Sequence, residues 1–214
     1  MTGPRLRVSR RSLAGAVAFI VSGCSRLFVA PPPKYIFRLQ PARCFPPDLP
    51  HLQAQLLVAS PSVPASLDQR RIALTKSPLS LDYFADAEWA DAVSMLVQDV
   101  LTNSFENSRA ITVVNSGLGL LPDFFLTTEV RHFEAEYGPA GGPPSAWVSI
   151  DAKLVAMPQR EVVAQSLFER RAPASADDLP AIATAFDAAL GAVATAIVTW
   201  TLADAAIRMR RHPL

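Results

Sequence analysis

Cysteine is almost missing from this chain: Cys24 and Cys44 are the only two in 214 residues. A disulfide framework is therefore excluded as the basis of the fold. Glycine is scarce, at nine residues, and none falls in a phosphate-cradling loop. Histidine is scarcer still. His51, His132 and His212 lie in different segments, and none has partners at metal-ligand spacing. No serine occupies a Gly-x-Ser-x-Gly elbow. No catalytic residue, metal site or cofactor is implied. Neither charge dominates, with 20 basic residues against 19 acidic. A basic field that would release counterions from phosphates is absent, which argues against nucleic acid as a partner. The longest apolar run, 188–203, lies between Asp187 and Asp204 and is interrupted by Thr195, Thr199 and Thr201. It falls short of the roughly 18 residues a membrane span wants, so it reads as an Ala-rich helix packed on a sheet.

Proline is abundant, at 19, and the N-terminus has its own character. Residues 1–23 carry Arg5, Arg7, Arg10 and Arg11 and no acid, followed by an apolar stretch from Leu13 to Val21. Basic residues orient a leader, and about nine apolar residues cannot span a bilayer. Val21-Ser22-Gly23-Cys24 resembles a bacterial lipobox. The expected consequence is cleavage between Gly23 and Cys24 and lipid attachment at Cys24, leaving Cys44 without an intramolecular partner. The remainder then carries 16 basic residues against 19 acidic, a net of −3. Ser9-Arg10-Arg11-Ser12-Leu13 is a partial twin-arginine match, so two export routes stay open. Two acyl chains give lasting membrane attachment where one is marginal. Ser25, not Asp, follows the cysteine and leans towards the outer membrane over the inner.

The expected divisions are a signal peptide at 1–23, a lipidated Pro-rich tether at 24–33, one domain at 34–208 and a basic tail at 209–214. Alternation predicts short strands at 34–40, 53–59 and 70–76. Trp89, Val93, Leu96, Val97, Val100, Leu101 and Phe105 share one face of a helix expected over 88–106, with Asp86 as N-cap. A short strand at 110–114 ends in Asn115-Ser116-Gly117. In the strand at 124–137 the apolar phase changes, which a bulge near Arg131-His132 would reconcile. Strands at 146–155 and 161–169 complete a meander. Val148, Ile150, Ala152 and Leu154 point inward; Ser149, Asp151 and Lys153 point outward. Trp147 shares that outward side and is the candidate for partner contact, while Trp89 and Trp200 are expected in the core. Glu129, Glu134 and Glu136 read as a solvated strand face, and Cys44 as a small, partly buried side chain. Asp177-Asp178-Leu179-Pro180 opens the last helix, with Ile182, Phe186, Leu190, Val193 and Ile197 facing the sheet. The expected class is α+β: a mostly antiparallel sheet with two long helices packed on one face, preceded by a cleaved signal peptide.

Several pieces, in order, resemble the ABC-type transport auxiliary lipoprotein family. They are the lipobox, Tyr35-Ile36-Phe37-Arg38-Leu39, and Leu56-Leu57-Val58 leading into Asp68-Gln69-Arg70-Arg71-Ile72-Ala73. Leu81 to Ala90, Asp123-Phe124-Phe125-Leu126, Phe133-Glu134-Ala135 and the last helix from Asp177 to Trp200 complete the match. The resemblance implies a non-catalytic subunit of an MCE-type lipid transport system. Its partner would be an MCE-domain protein, which it meets alone or as a homo-oligomeric collar, at a membrane reached through the N-terminal lipid. A different anchored envelope scaffold is the alternative.

Overall fold

The computed structural model of the protein describes residues 35–115 and 121–211, all within one compact unit, Pro32–Leu214. The proposed leader, Gly23, Cys24, the tether, the turn at 116–117 and His212 lie outside the described residues.

The long strands β6 (Phe124–Glu136), β7 (Ser145–Ala156) and β8 (Glu161–Pro173) pair antiparallel as a meander. Short connections force that direction on consecutive strands. The free edge of β6 is shared by two short strands. Its first residues pair with β2 (Gln55–Val58) and its last with β3 (Arg71–Thr75), both parallel. Between them Ser62 bridges Glu129, so the partly exposed, proline-bearing 60–64 segment is hydrogen-bonded along the same edge of β6. β4 (Asp82–Trp89) turns back antiparallel on β3; β1 (Tyr35–Phe37) runs parallel to β4, and β5 (Thr112–Val113) parallel to β2. The sheet is therefore mixed, correcting the expectation of a mostly antiparallel one. Strands distant in sequence return through long connections, which allow parallel pairing.

Helix α1 (Val93–Ser108) begins five residues later than expected, and β4 occupies the start of that segment. Tyr83, Ala85, Ala87 and Trp89 alternate, and the period-2 signal of this strand merges into the helical pattern after it. Trp89 is fully buried, but from a strand. Asp86 caps nothing. The N-cap residue, Ala92, has no side-chain cap, and Asp68 supplies one from a distant loop, accepting the Ser94 N–H at 2.9 Å. The apolar face from Val93 to Phe105 is buried as the spacing requires.

Helix α2 (Leu179–Arg211) starts as its acidic opening indicates: Asp178 Oδ1 accepts the Ala181 N–H at 2.8 Å. Ile182, Phe186, Leu190, Val193 and Ile197 are all buried. By length and composition alone α2 could cross a membrane, but more than half of its most apolar window is buried inside the fold. It packs on β7, β8 and α1, while α1 packs on β2 and β5. The centre of the core is aromatic. Trp89 of β4, Phe133 of β6 and Phe186 of α2 meet with ring centroids 5.1–5.9 Å apart. The proline-rich segment after β1 is pinned from both helices. Asp187 accepts the Gln40 N–H at 2.7 Å, Ser104 Oγ accepts that of Ala42 at 2.9 Å, and Asn107 donates to the Ala42 carbonyl.

Candidate functional site

The inner faces of β6, β7 and β8 are consumed by packing. Their outer faces meet no helix among the described residues, and there the chemistry-bearing side chains converge. The bulge in β6 creates the arrangement. Val130 pairs with Ile150 and His132 with Ser149, so Arg131 is the extra residue. A bulge of this kind puts two successive side chains on one side. Arg131 and His132 thus both reach the outer face, and Phe133 and Ala135 return to the core with Leu126 and Val130. The phase change read from the apolar pattern is this bulge.

Three layers result. His132 stacks on Trp147 at 3.4 Å between ring centroids, with planes 10° apart. The guanidinium carbon of Arg171 lies 3.7 Å from the same indole centroid. Two groups that close to one centroid must occupy opposite faces, so the indole is sandwiched between imidazole and guanidinium. Each outer layer is closed by a carboxylate. His132 Nδ1 donates to Glu134 Oε1 at 2.7 Å, while Glu134 Oε2 accepts the Phe133 N–H at 2.6 Å. Arg171 Nε donates to Glu136 at 2.9 Å and its Nη1 to Glu169 at 2.6 Å. Burial alone would lower the Arg171 pKa; Glu136 and Glu169 outweigh it, and the net shift is upward. Beside the stack, Arg131 and Gln165 both donate to the Asp151 carboxylate, Gln165 at 3.0 and 3.2 Å.

These contacts bury side chains expected to meet solvent. Ser149 and Asp151 are 1% and 5% exposed, and Glu134 is 6% exposed. The expected acidic strand face is in part a network of closed ion pairs. Trp147 is half-buried, both ring faces are covered, and its Nε1 is buried with no hydrogen-bond partner. What it offers a partner is an edge held between an imidazole and a guanidinium. Trp200 is half-buried and packs edge-on against Phe168, with centroids 5.4 Å apart. Cys44 is exposed, not partly buried, because the hydrogen bonds that hold its loop act through Ala42. Among the described residues no three His, Cys, Asp or Glu side chains converge. Among the described residues the outer face thus gathers two arginines, an imidazole and four carboxylates around one indole.

Sequence reading singled out Trp147 and missed His132, Arg171, Arg131, Asp151 and Gln165 as its companions. The signal lay in strand register: Glu134, Trp147 and Arg171 form one cross-strand row, and His132, Ser149 and Glu169 the next. A second concavity, a cleft of about 520 Å³, lies between residues 38–41 and α1, with Arg38, Asp91, Asp99 and Asn103 on its walls. Its acids and amide are partly satisfied within the helix, since Asn103 donates to Asp99.

A crystal structure of a Xanthomonas campestris protein superposes with a TM-score of 0.78 at 31% identity, covering 82% of this chain and 98% of that one. A second crystal structure, of an uncharacterised protein, shares the fold with a TM-score of 0.61 at 15% identity, over 78% of this chain and 97% of the other. An uncharacterised protein of Bradyrhizobium diazoefficiens is 29% identical over 176 residues. That match takes in 81% of this chain but only 46% of the relative's own length. The family model for the ABC-type transport auxiliary lipoprotein component matches residues 38–198, from the end of β1 well into α2. On that match, which runs over most of the folded body, the chain belongs to the ABC-type transport auxiliary lipoprotein component family.

Proposed function

We propose that this chain is the non-catalytic, lipid-anchored auxiliary subunit of an ABC system of the MCE type. It docks the system's periplasmic bridge at the outer membrane, where phospholipid or a sterol-like lipid is moved. The observation that carries the reading is the family match over residues 38–198. The lipobox at Cys24 supplies the anchor, and the outer face of β6, β7 and β8 supplies the docking surface. That face suits a protein partner. The charged side chains around Trp147 are already held by partners, so little conformational entropy is lost on contact there. Trp147 and Arg171, residue types that dominate binding energy in interfaces, stand at its centre. The occupant is the MCE-domain protein.

The test is purification of the full-length protein, carrying a C-terminal tag, from its native host in mild detergent. Co-purification of an MCE-domain protein with a permease and an ATPase is expected. Recovery of abundant lipidated protein alone, under conditions that preserve other envelope complexes, would contradict the transport role.

A further inference from the structure

β8 ends the sheet. β7 pairs with one of its edges along its length, and among the described residues no strand pairs with the other. Its 13 residues extend over about 43 Å at ~3.3 Å per residue. Native edges of that length are normally blunted by charge, proline or a bulge. β8 is blunted at both ends and not in the middle. Near its start the register with β7 shifts between Leu154 and Val155. Its end carries Glu169-Arg170-Arg171 and Pro173. Between them Ala164-Gln165-Ser166-Leu167-Phe168 has no charge, and Leu167 is 48% exposed.

A groove of about 320 Å³ accompanies this stretch, lined by Leu167, Phe168, Glu169 and Arg170 of β8 and by Ala192, Val193 and Ala196 of α2, with Glu169 already engaged by Arg171. Ala192 and Ala196 are exposed and one turn apart, so the helix wall is shallow where an added strand would place side chains. Arg170 is exposed and takes part in no ion pair or side-chain hydrogen bond among the described residues.

We infer that the free edge of β8 at 164–168 is a strand-addition site for an extended segment of a partner protein. The segment's alternate apolar side chains sit against Ala192 and Ala196, and an acidic side chain faces Arg170. Backbone pairing supplies affinity; the groove and the unpaired cation supply selectivity. A second copy of this chain fits less well. The acids of β8 itself, Glu161 and Glu169, are already engaged by Arg208 and Arg171 and bring no free carboxylate to Arg170. The inference rests on the edge and the groove, whichever transport system the protein serves.

The test pans the full-length lipidated protein in detergent against phage-displayed short random peptides. Enriched peptides should alternate apolar residues and carry an acid. Their binding should weaken about tenfold or more with Arg170→Glu and with Ala196→Phe, a measurable change in dissociation constant. Both positions are exposed, and unchanged unfolding midpoints would show that the fold survives. Amide exchange at 164–168 should slow on binding. Absence of any enriched pattern, or peptides indifferent to both substitutions with β8 exchange unchanged, would overturn the site. A dimer of the peptide-free protein that Ala196→Phe dissolves would assign the edge to a second copy and overturn the proposed occupant. None of these failures touches the transport reading, whose test is co-purification.

Discussion

Trp147 shows what one residue contributes when its neighbours are considered with it. A lone outward Trp suggests a contact point, but here the ring is the middle of a stack whose outer members are held by Glu134, Glu136 and Glu169. Replacing Arg171 by Lys keeps the charge and removes the planar group. Because the Arg171 side chain is 42% exposed, the stability cost should be small, about 1 kcal/mol or less in a urea titration. Partner binding should fall more than stability does if the stack is part of the docking face. Tyr137 makes a second residue-scale prediction. It donates to Asp177 at 2.7 Å, joining the end of β6 to the approach of α2. Burial first, then the hydrogen bond and charge of Asp177, push its pKa up to about 12. A group whose pKa is raised on folding stabilises the fold below its unfolded value, near 10, and loses that contribution as pH climbs towards the folded value. Tyr137→Phe should therefore cost at most about 1 kcal/mol at neutral pH. It should also remove part of the stability lost between roughly pH 10 and 12, as read from unfolding midpoints across that range.

At the scale of elements, apolar periodicity located most strands and both helices, but it misplaced the boundary where one period runs into another. Asp82 to Trp89 alternates as a strand, yet Trp89 also stands at helical spacing from Val93 and Leu96, and the longer pattern absorbed the shorter. The true cap of α1 comes from Asp68, far away in sequence, where local spacing carries no trace of it. Asp68→Ala should destabilise the protein by about 1 kcal/mol. Asp86→Ala, at an exposed β4 position, should stay within about 0.5 kcal/mol. Thermal unfolding of the two variants separates the assignments. The bulge in β6 was legible because the buried residues change parity across it. What the bulge does on the other side of the sheet was not, since it depends on pairing with β7 and β8.

For the whole molecule, the sequence indicated an α+β body with a meander and an Ala-rich helix against the sheet. The mixed sheet was not legible: parallel pairing of β2 and β3 along one edge of β6 follows from tertiary return paths, not from any local pattern. The aromatic meeting point of Trp89, Phe133 and Phe186 joins β4, β6 and α2. Phe186→Ala should cost about 3–5 kcal/mol, detected as a large drop in denaturant midpoint, because no neighbour can fill the space without moving a whole element. The proposed docking face and the proposed lipid anchor together make the central claim, that this subunit meets the periplasmic part of a transport system while tethered to a membrane. The most direct measurement is photocrosslinking in the native host from a probe at Glu129, exposed on the outer face, with a probe at the exposed Met95 of α1 as comparison. The account predicts an adduct between position 129 and an MCE-domain protein, and none from position 95. Adducts to that protein from position 95 alone, or no adduct to any transport component from either position, would contradict it.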